Sequence, residues 1–272
     1  MEDVIGSVVV YRNPPEQIRR LITSFLNTEL NIKLYVIDNS PEDPIRDLCK
    51  DKRVTYMFND RNLGFGAGHN IAMKASLTEA KYHVVLNPDV HFGPGVIEKL
   101  LEFALSKPEI GLVMPKVLNP DGTIQFLCKR LPTPSDLILR RFLPAAFKPL
   151  VEDRLAGYEF RDQDYNSVLS VPVLSGCFMM INCIALSQVG VFDERFFMYM
   201  EDVDLCRRIH EKFQTIYFPD VAIYHGYEKG SYRNFRLMLH HIVSALLYFQ
   251  KWGWISDQKR ISINQKAIIR QR

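Results

Sequence analysis

Three acids fall within four positions of FFMYMEDVDLCRRI (residues 196–209): Glu201, Asp202 and Asp204. Acids in such a place can cap a helix, pair with the arginines that follow, hold a metal or accept a proton. Asp204 precedes Arg208 by four residues, one helical turn, so the two are spaced to pair and Asp204 reads as structural. Glu201 and Asp202 stand at the helix start, where free N–H groups and the helix dipole favour an ionised carboxylate. Burial under Phe196, Phe197, Met198 and Tyr199 would act the other way and raise a pKa. Taken alone, the stretch is satisfied by helix capping.

Four other places carry residues of chemical interest. NDRNLGFGAGHN (59–70) holds glycines at 64, 66 and 68 ahead of a helix, where backbone can approach a ligand and helix N–H groups can meet an anion. Its GxGxG spacing after the third strand is not the dinucleotide fingerprint. Asp38 ends a strand in YVIDNS and can accept hydrogen bonds from a nucleoside or from its own turn. LNPDV sets Asn87 and Asp89 around Pro88 just past another strand, a placement that suits a divalent cation carried by a diphosphate, or a plain turn. His225 lies at a strand end in YHG, and the other six histidines form no ligand pattern.

The elements that must position these residues alternate. Buried strands are expected at 4–10, 33–38, 54–58 and 82–87, with helices at 15–27, 69–80 and 93–105 between and after them. That alternation predicts an α/β fold with a mainly parallel sheet and helices on both faces, and ligands then sit at the carboxyl ends of the strands. The second half is less regular: residues 115–166 read as loops around a helix near 135–143. Strand-like VLSVPVL and CFMMIN follow, then a helix over 201–212, a strand at TIYFP and a long amphipathic helix over 231–254.

The 272 residues, 47% apolar and 24% charged, describe an ordinary globular chain and exclude disordered and fibrous classes. The uncharged stretch 171–192 is interrupted by Pro172, Gly176 and Gly190 and reads as buried core, not a membrane span. Acids near the first residue argue against a signal peptide. Five cysteines without CxxC spacing read as reduced thiols of a cytosolic protein. Residues 229–272 carry nine lysines and arginines against one acid, a net of +8, which leaves −5 on the rest of a chain whose total is +3.

Asp38, the glycine loop, Asn-Pro-Asp, Glu-Asp-Val-Asp and Tyr-His-Gly occur in that order. With NLGFGAGHN, LNPDV, SGCFMMI and FDERFFMYMEDVDLCRRI, the sequence over residues 4–228 resembles the family 2 glycosyltransferases, inverting enzymes of the GT-A fold, and among them the bacterial rhamnosyltransferase-like group. The resemblance implies residues 1–114 as a nucleotide-sugar-binding half, 115–228 as the acceptor-binding and catalytic half of the same domain, and 229–272 as a basic helical tail. It implies Asp38 at the nucleoside, and Asn62, Gly64, Gly66 and Asn70 lining the nucleotide-sugar loop. Asn87 and Asp89 fall at the family's Asp-x-Asp metal motif, with Asp89 and His225 as ligands of Mg²⁺ or Mn²⁺. Asp202 falls at the general base. Asn87 replaces the first acid of that motif, so the donor diphosphate is expected to supply most of the metal's ligands. The Gln-x-x-Arg-Trp motif of processive synthases is absent, which implies transfer of one or a few sugars. The expected donor is dTDP-L-rhamnose and the expected acceptor a lipid-linked saccharide in cell-surface polysaccharide synthesis.

Rival readings are a sugar-nucleotide nucleotidyltransferase, a catalytically inactive glycan-binding module and an NAD-dependent dehydrogenase. The first would carry a basic glycine-rich loop where YRNPPEQ stands, and the last a fingerprint after the first strand. Basic residues of the tail (Lys251, Lys259, Arg260, Lys266, Arg270 and Arg272) with apolar Leu237, Leu239, Ile242, Leu246, Leu247, Trp252 and Trp254 predict a helix lying on an anionic cytoplasmic leaflet. Packing on the domain, or a homodimer contact, is the alternative. Nucleic acid is not expected, because the acidic body would repel phosphates.

Overall fold

The computed structural model describes residues 1–42, 44–143, 145–226 and 234–269. The expected alternation is present. β1 (Glu2–Val10), β2 (Ile32–Asp38), β3 (Val54–Phe58) and β4 (Ala80–Leu86) pair in parallel in the order 3-2-1-4. α1 (Pro15–Leu26) opens on a proline and buries Ile18, Leu21, Ile22 and Phe25. α2 (Phe65–Glu79) lies against β1 and β4. Four strand ends therefore reach one edge of the sheet together, which places Val10, Asp38, Phe58 and Leu86 along the rim of a cleft.

Beyond β4 the sheet becomes mixed. β8 (Phe178–Asn182) runs antiparallel to β4, and β6 (Ile110–Leu118) runs antiparallel to β8 and parallel to β9 (Gln214–His225). Short β5 (Val90–His91) and β7 (Leu169–Ser170) pair antiparallel with β9. The sequence reading corrects in three places. IGLVMPKVL, left without a strand and read as loop from 115 onward, is strand β6, because a run buried on both faces lacks alternation and Pro115 sits at a register shift. VLSVPVL keeps only two strand residues. The glycine stretch is not a loop ahead of a helix: Gly64 is the N-cap of α2, and Gly66, Gly68 and Asn70 lie inside its first two turns.

Helices α3 (Val96–Leu105), α4 (Pro134–Phe142), α5 (Glu152–Tyr158), α6 (Cys183–Val189) and α7 (Glu201–His210) cover the sheet and its cleft edge. The 171–192 stretch is core, supplying β8 and α6, and no helix among the described residues is long and apolar enough to cross a membrane. Under α2, Ser7 Oγ stands 2.7 Å from His69 Nδ1 and 2.8 Å from His83 Nε2, an internal chain continued by Ser76 Oγ 2.6 Å from His83 Nδ1. Burial keeps both rings neutral, with His83 pushed down to about 3.

The tail is two helices, α8 (Phe235–Trp252) and α9 (Gln258–Ile269), divided at Gly253 with φ of 99°. Its basic residues divide. Lys251 pairs with Asp193 at 2.8 Å and Asp204 at 2.7 Å, and Arg260 is buried over Asp257 of the tail itself, which also receives Arg207. Lys259 pairs with Glu211 at 2.9 Å while staying 69% exposed, and Lys266 is exposed. Lys229, Arg270 and Arg272 lie outside the described residues. α8 also exposes apolar Phe235, Leu239, Val243 and Leu246, at helical spacing and between 45% and 68% exposed.

Candidate active site

The backbone entering α7 is strained. Tyr199 and Met200, both non-glycine, have φ of 70° and 66°, a conformation that costs about 1–3 kcal/mol per residue and needs support from its surroundings. Support comes from two sides: Phe65 N–H donates to Phe197 O at 2.9 Å, and Ser244 Oγ donates to Met198 O at 2.8 Å. The strained turn sets three acids in three different environments.

Asp202 accepts backbone N–H bonds, Val203 to Oδ1 at 2.8 Å and Gly176 to Oδ2 at 3.1 Å. A Cβ on Gly176 would stand 3.3 Å from Asp202 Cβ, so only glycine lets the two backbones come this close without a shift. Asp204 is fully buried and takes Arg208 at 2.9 Å, as its spacing predicts, together with Lys251 Nζ and Trp252 Nε1, each at 2.7 Å. Glu201 is buried, and its Oε2 has no hydrogen-bond partner. Desolvation, reinforced by Asp202, pushes its carboxyl well above the usual carboxylate range, so it is held protonated.

A second group forms where β4 and β9 end. His225 is bracketed by Gln125, whose Nε2 donates to His225 O at 2.8 Å while its Oε1 stands 2.9 Å from Nδ1. That orientation of the amide requires the proton on Nδ1. Nε2 therefore bears the lone pair, 3.1 Å from Asn87 Nδ2 and 3.5 Å from Asp89 Oδ1. Burial lowers the imidazole's pKa against the opposing pull of Asp89. A neutral histidine anchored through one nitrogen with the other facing a carboxylate is a suitable half-site for a divalent cation. Asp89 and His225 would fit such an ion as a two-ligand set, with the Nε2 lone pair accepting from Asn87 Nδ2 in this structure. Among the described residues no group of three or more His, Cys, Asp or Glu could hold one unaided.

The two groups meet at one turn. Gly176 N–H holds Asp202, and the next residue's carbonyl, Cys177 O, accepts from Asn87 N at 2.9 Å. Burial raises the Cys177 thiol to about 12, with Asp89 and Asp202 both adding to the effect. The two carboxylates thus flank one cysteine.

On the other side of the cleft the polar groups are mostly spent on each other. Asn62 Oδ1 accepts from Gly64 N at 2.9 Å, while Asn39 Nδ2 reaches Gly64 O at 3.3 Å and Asn39 Oδ1 accepts from Asn59 at 2.8 Å. Gly64, at φ of 85°, would place a Cβ 2.3 Å from Phe197 O. Asn70 exchanges two 2.9 Å bonds with the Phe192 backbone and donates to Glu194, and Gly66 lies under Phe192. Gly66 and Asn70, expected on a ligand loop, pack against the 192–197 segment, and the amides of Gly64 and Phe65 donate to Asn62 and Phe197. Asp38 is also buried, accepting from Ser40 N and Tyr56 Oη at 2.8 Å each. The Ser40 turn that it holds lines a pocket of about 350 Å³, together with Arg12, Asn13, Pro41, Glu42 and Pro44.

Sequence reasoning passed over Gln125, Gly176 and Asn39. Asn39 adjoins Asp38 in a turn-rich DNS and was findable, whereas Gln125 lies 100 positions from its histidine in a stretch with no periodic signal.

Residues 7–190 match the family model for Glycosyl transferase family 2. The chain is 30% identical to an N-acetylglucosaminyl-diphospho-decaprenol L-rhamnosyltransferase of Mycobacterium tuberculosis, over 99% of this chain and 92% of that protein. It is 21% identical to the rhamnosyltransferase WbbL of Escherichia coli, over 74% and 75%. Its fold matches GalNAc-T7, solved with UDP, GalNAc and Mn²⁺, at a TM-score of 0.65 and 12% identity, covering 94% of this chain and 49% of that one. It also matches Staphylococcus aureus TarS at 0.61 and 13%, covering 98% and 43%. These neighbours share the GT-A sheet. The carboxylates gathered at its strand ends, a family model spanning more than half of the chain and a relative aligned along nearly all of it lead to one conclusion: the chain belongs to glycosyl transferase family 2.

Proposed function

We propose that the protein is an inverting, non-processive transferase that moves L-rhamnose from dTDP-L-rhamnose to a hydroxyl of a lipid-linked saccharide. One observation carries the chemistry: Asp202 sits on a strained helix head, holds only backbone N–H bonds, and is tied through the Gly176–Cys177 turn to Asn87, two residues before Asp89. In this reading Asp202 removes the proton of the acceptor hydroxyl as its oxygen bonds to the anomeric carbon. The bond to the nucleoside diphosphate breaks on the opposite face, its electron pair leaves with the phosphate oxygen, and the configuration inverts. Asp89 and His225 would hold Mg²⁺ or Mn²⁺, which when bound neutralises charge building on the leaving diphosphate. The nucleoside belongs to the pocket lined by the Ser40 turn, which the Asp38 carboxylate shapes. Asn62, Gly64, Gly66 and Asn70 act by fixing the donor side of the cleft to the segment that presents Asp202.

The donor and the acceptor class rest on the M. tuberculosis relative, whose alignment runs through both halves of the fold. A lipid-linked acceptor places the enzyme on the inner face of the cell membrane. The exposed stripe Phe235, Leu239, Val243 and Leu246 supplies the apolar surface for that contact. Release of nucleoside diphosphate from a panel of nucleotide sugars, with and without lipid-linked acceptors, is the test. Turnover with dTDP-L-rhamnose only when acceptor lipid is present is the expected result. Turnover restricted to another donor, or to soluble acceptors, overturns the assignment. Sedimentation with vesicles should be lost in Leu239→Asp/Val243→Asp.

A further inference from the structure

Helices α4 and α8 enclose a groove of about 160 Å³. Leu137 and Ile138 line it from α4, Ala245 and Leu246 from α8, and Trp254 beyond α8. Its ionisable members are Arg141 and His241. His241 is also where the groove approaches the chemistry. Its ring lies 5.2 Å from that of Tyr199, the neighbouring His240 stacks on Phe197 at 4.5 Å, and Ser244 bonds Met198. These contacts are with the strained segment that ends at Asp202.

Cations stand near the groove and near the turn that holds that carboxylate, and Arg141 lines the groove itself. Lys129 pairs through its backbone with Val173, three residues before the Gly176 that holds Asp202. Arg140 and Arg141 end α4, and Glu159 at 2.7 Å offsets part of the Arg140 charge. The charges act on one another. His241 is held down to about 4 by burial and by Arg141, Arg140 and Lys129, and Lys129 is lowered to about 8 by burial and Arg140, with Asp202 pulling the other way. Carboxylate, cations and apolar slot therefore adjoin around the head of α7.

A soluble saccharide would use only the first of these three, and a bilayer face needs no slot. A molecule carrying a hydroxyl, then a dianion, then a hydrocarbon chain complements all three. We propose that the α4–α8 groove seats the proximal isoprenoid chain of a diphosphate-linked acceptor, with Lys129, Arg140 and Arg141 opposing its diphosphate. This rests on the reading that the acceptor is lipid-linked, and it adds where the lipid is gripped. Shape and charge here select the lipid carrier, while the outward stripe of α8 meets the bilayer.

The test is calorimetric titration of the full chain with geranylgeranyl diphosphate, with inorganic diphosphate and geranylgeraniol as separate arms. Quenching of tryptophan emission provides a second readout, since Trp254 lines the groove. The wild type should bind the diphosphate lipid at least tenfold more tightly than either arm. Ala245→Trp, which fills the groove, should weaken that binding at least tenfold while leaving nucleotide binding and vesicle sedimentation unchanged. Leu137→Gln is the alternative if that variant does not fold. Arg141→Gln should weaken the diphosphate lipid and leave the alcohol unaffected. Equal affinity in the plugged variant, binding of the alcohol as tight as of the diphosphate, or no binding of the probe overturns the proposal. None of these readouts requires sugar transfer. A probe that binds as expected in an enzyme that uses no lipid acceptor would refute the proposed function and leave the groove assignment standing.

Discussion

At the ends of β1, β2 and β3, Asp38, Asn39, Asn59 and Asn62 bond to one another and to nearby backbone, and little buried polarity is left over. Backbone strain is present in both regions: Arg12 and Asp60 sit at positive φ in the first, Tyr199 and Met200 in the second. The head of α7 differs in its polarity, since one buried carboxyl oxygen there has no partner and a carboxylate holds only backbone donors. The polar groups of the first region are spent on one another, while the head of α7 is held by contacts from α2 and α8. Strain and unmatched polarity persist where surrounding packing over-determines them, and they collect where chemistry is done. In the proposed reading, the donor side is organised before substrate arrives, whereas the acceptor side depends on the tail being docked.

Substitutions should separate the two regions, and the largest effect is expected at the joint between body and tail. Asp204→Ala removes the carboxylate that Arg208, Lys251 and Trp252 share, and loss of one partner from a buried ion pair costs about 3–5 kcal/mol. Urea unfolding should show this, with turnover per folded molecule retained if the catalytic turn survives. Next in size is Asp202→Asn, which should lower transfer by about 10²-fold or more with an unchanged melting temperature and unchanged nucleotide affinity. A wild-type rate in this variant would remove Asp202 from the mechanism and with it the contrast between the regions.

Gly64→Ala tests the seam. Its positive φ alone costs about 1–3 kcal/mol, and the new methyl must also move Phe197 O, 2.3 Å away. Both stability and turnover should fall, because Phe197 leads into the strained turn. If only stability falls, the two sides of the cleft are independent.

The smallest effect is a slope. Glu201 has a folded pKa raised well above its ordinary 4.5, so the native state keeps a proton that the unfolded chain gives up. Stability therefore declines as pH rises above about 4.5, until the folded pKa is passed, by at most ~1.4 kcal/mol per pH unit. Glu201→Gln should flatten that decline and raise stability at pH 7 in unfolding measured from pH 5 to 8. An unchanged slope would mean that the carboxyl is ionised in the fold.

Short-range relations were legible in the sequence. The alternation of β-branched runs with amphipathic helices is local, and it announced the parallel half of the sheet within a few residues at each boundary. Asp204 and Arg208, one turn apart, pair as their spacing requires, and the acids at 201 and 202 do open a helix. Relations across the chain were decided only by tertiary structure. Gln125 and Asn87 reach His225 over 100 and 138 positions, and Gly176 reaches Asp202 over 26, across β8 and α6. The tail's charge pattern was plain, but its direction was not. An amphipathic helix with basic residues can face a leaflet or a folded body equally well until the positions of opposing acids are known. Asp193 and Asp204 settle it for Lys251, because a cation gains more from a fixed, partly desolvated carboxylate nearby than from charge screened by solvent.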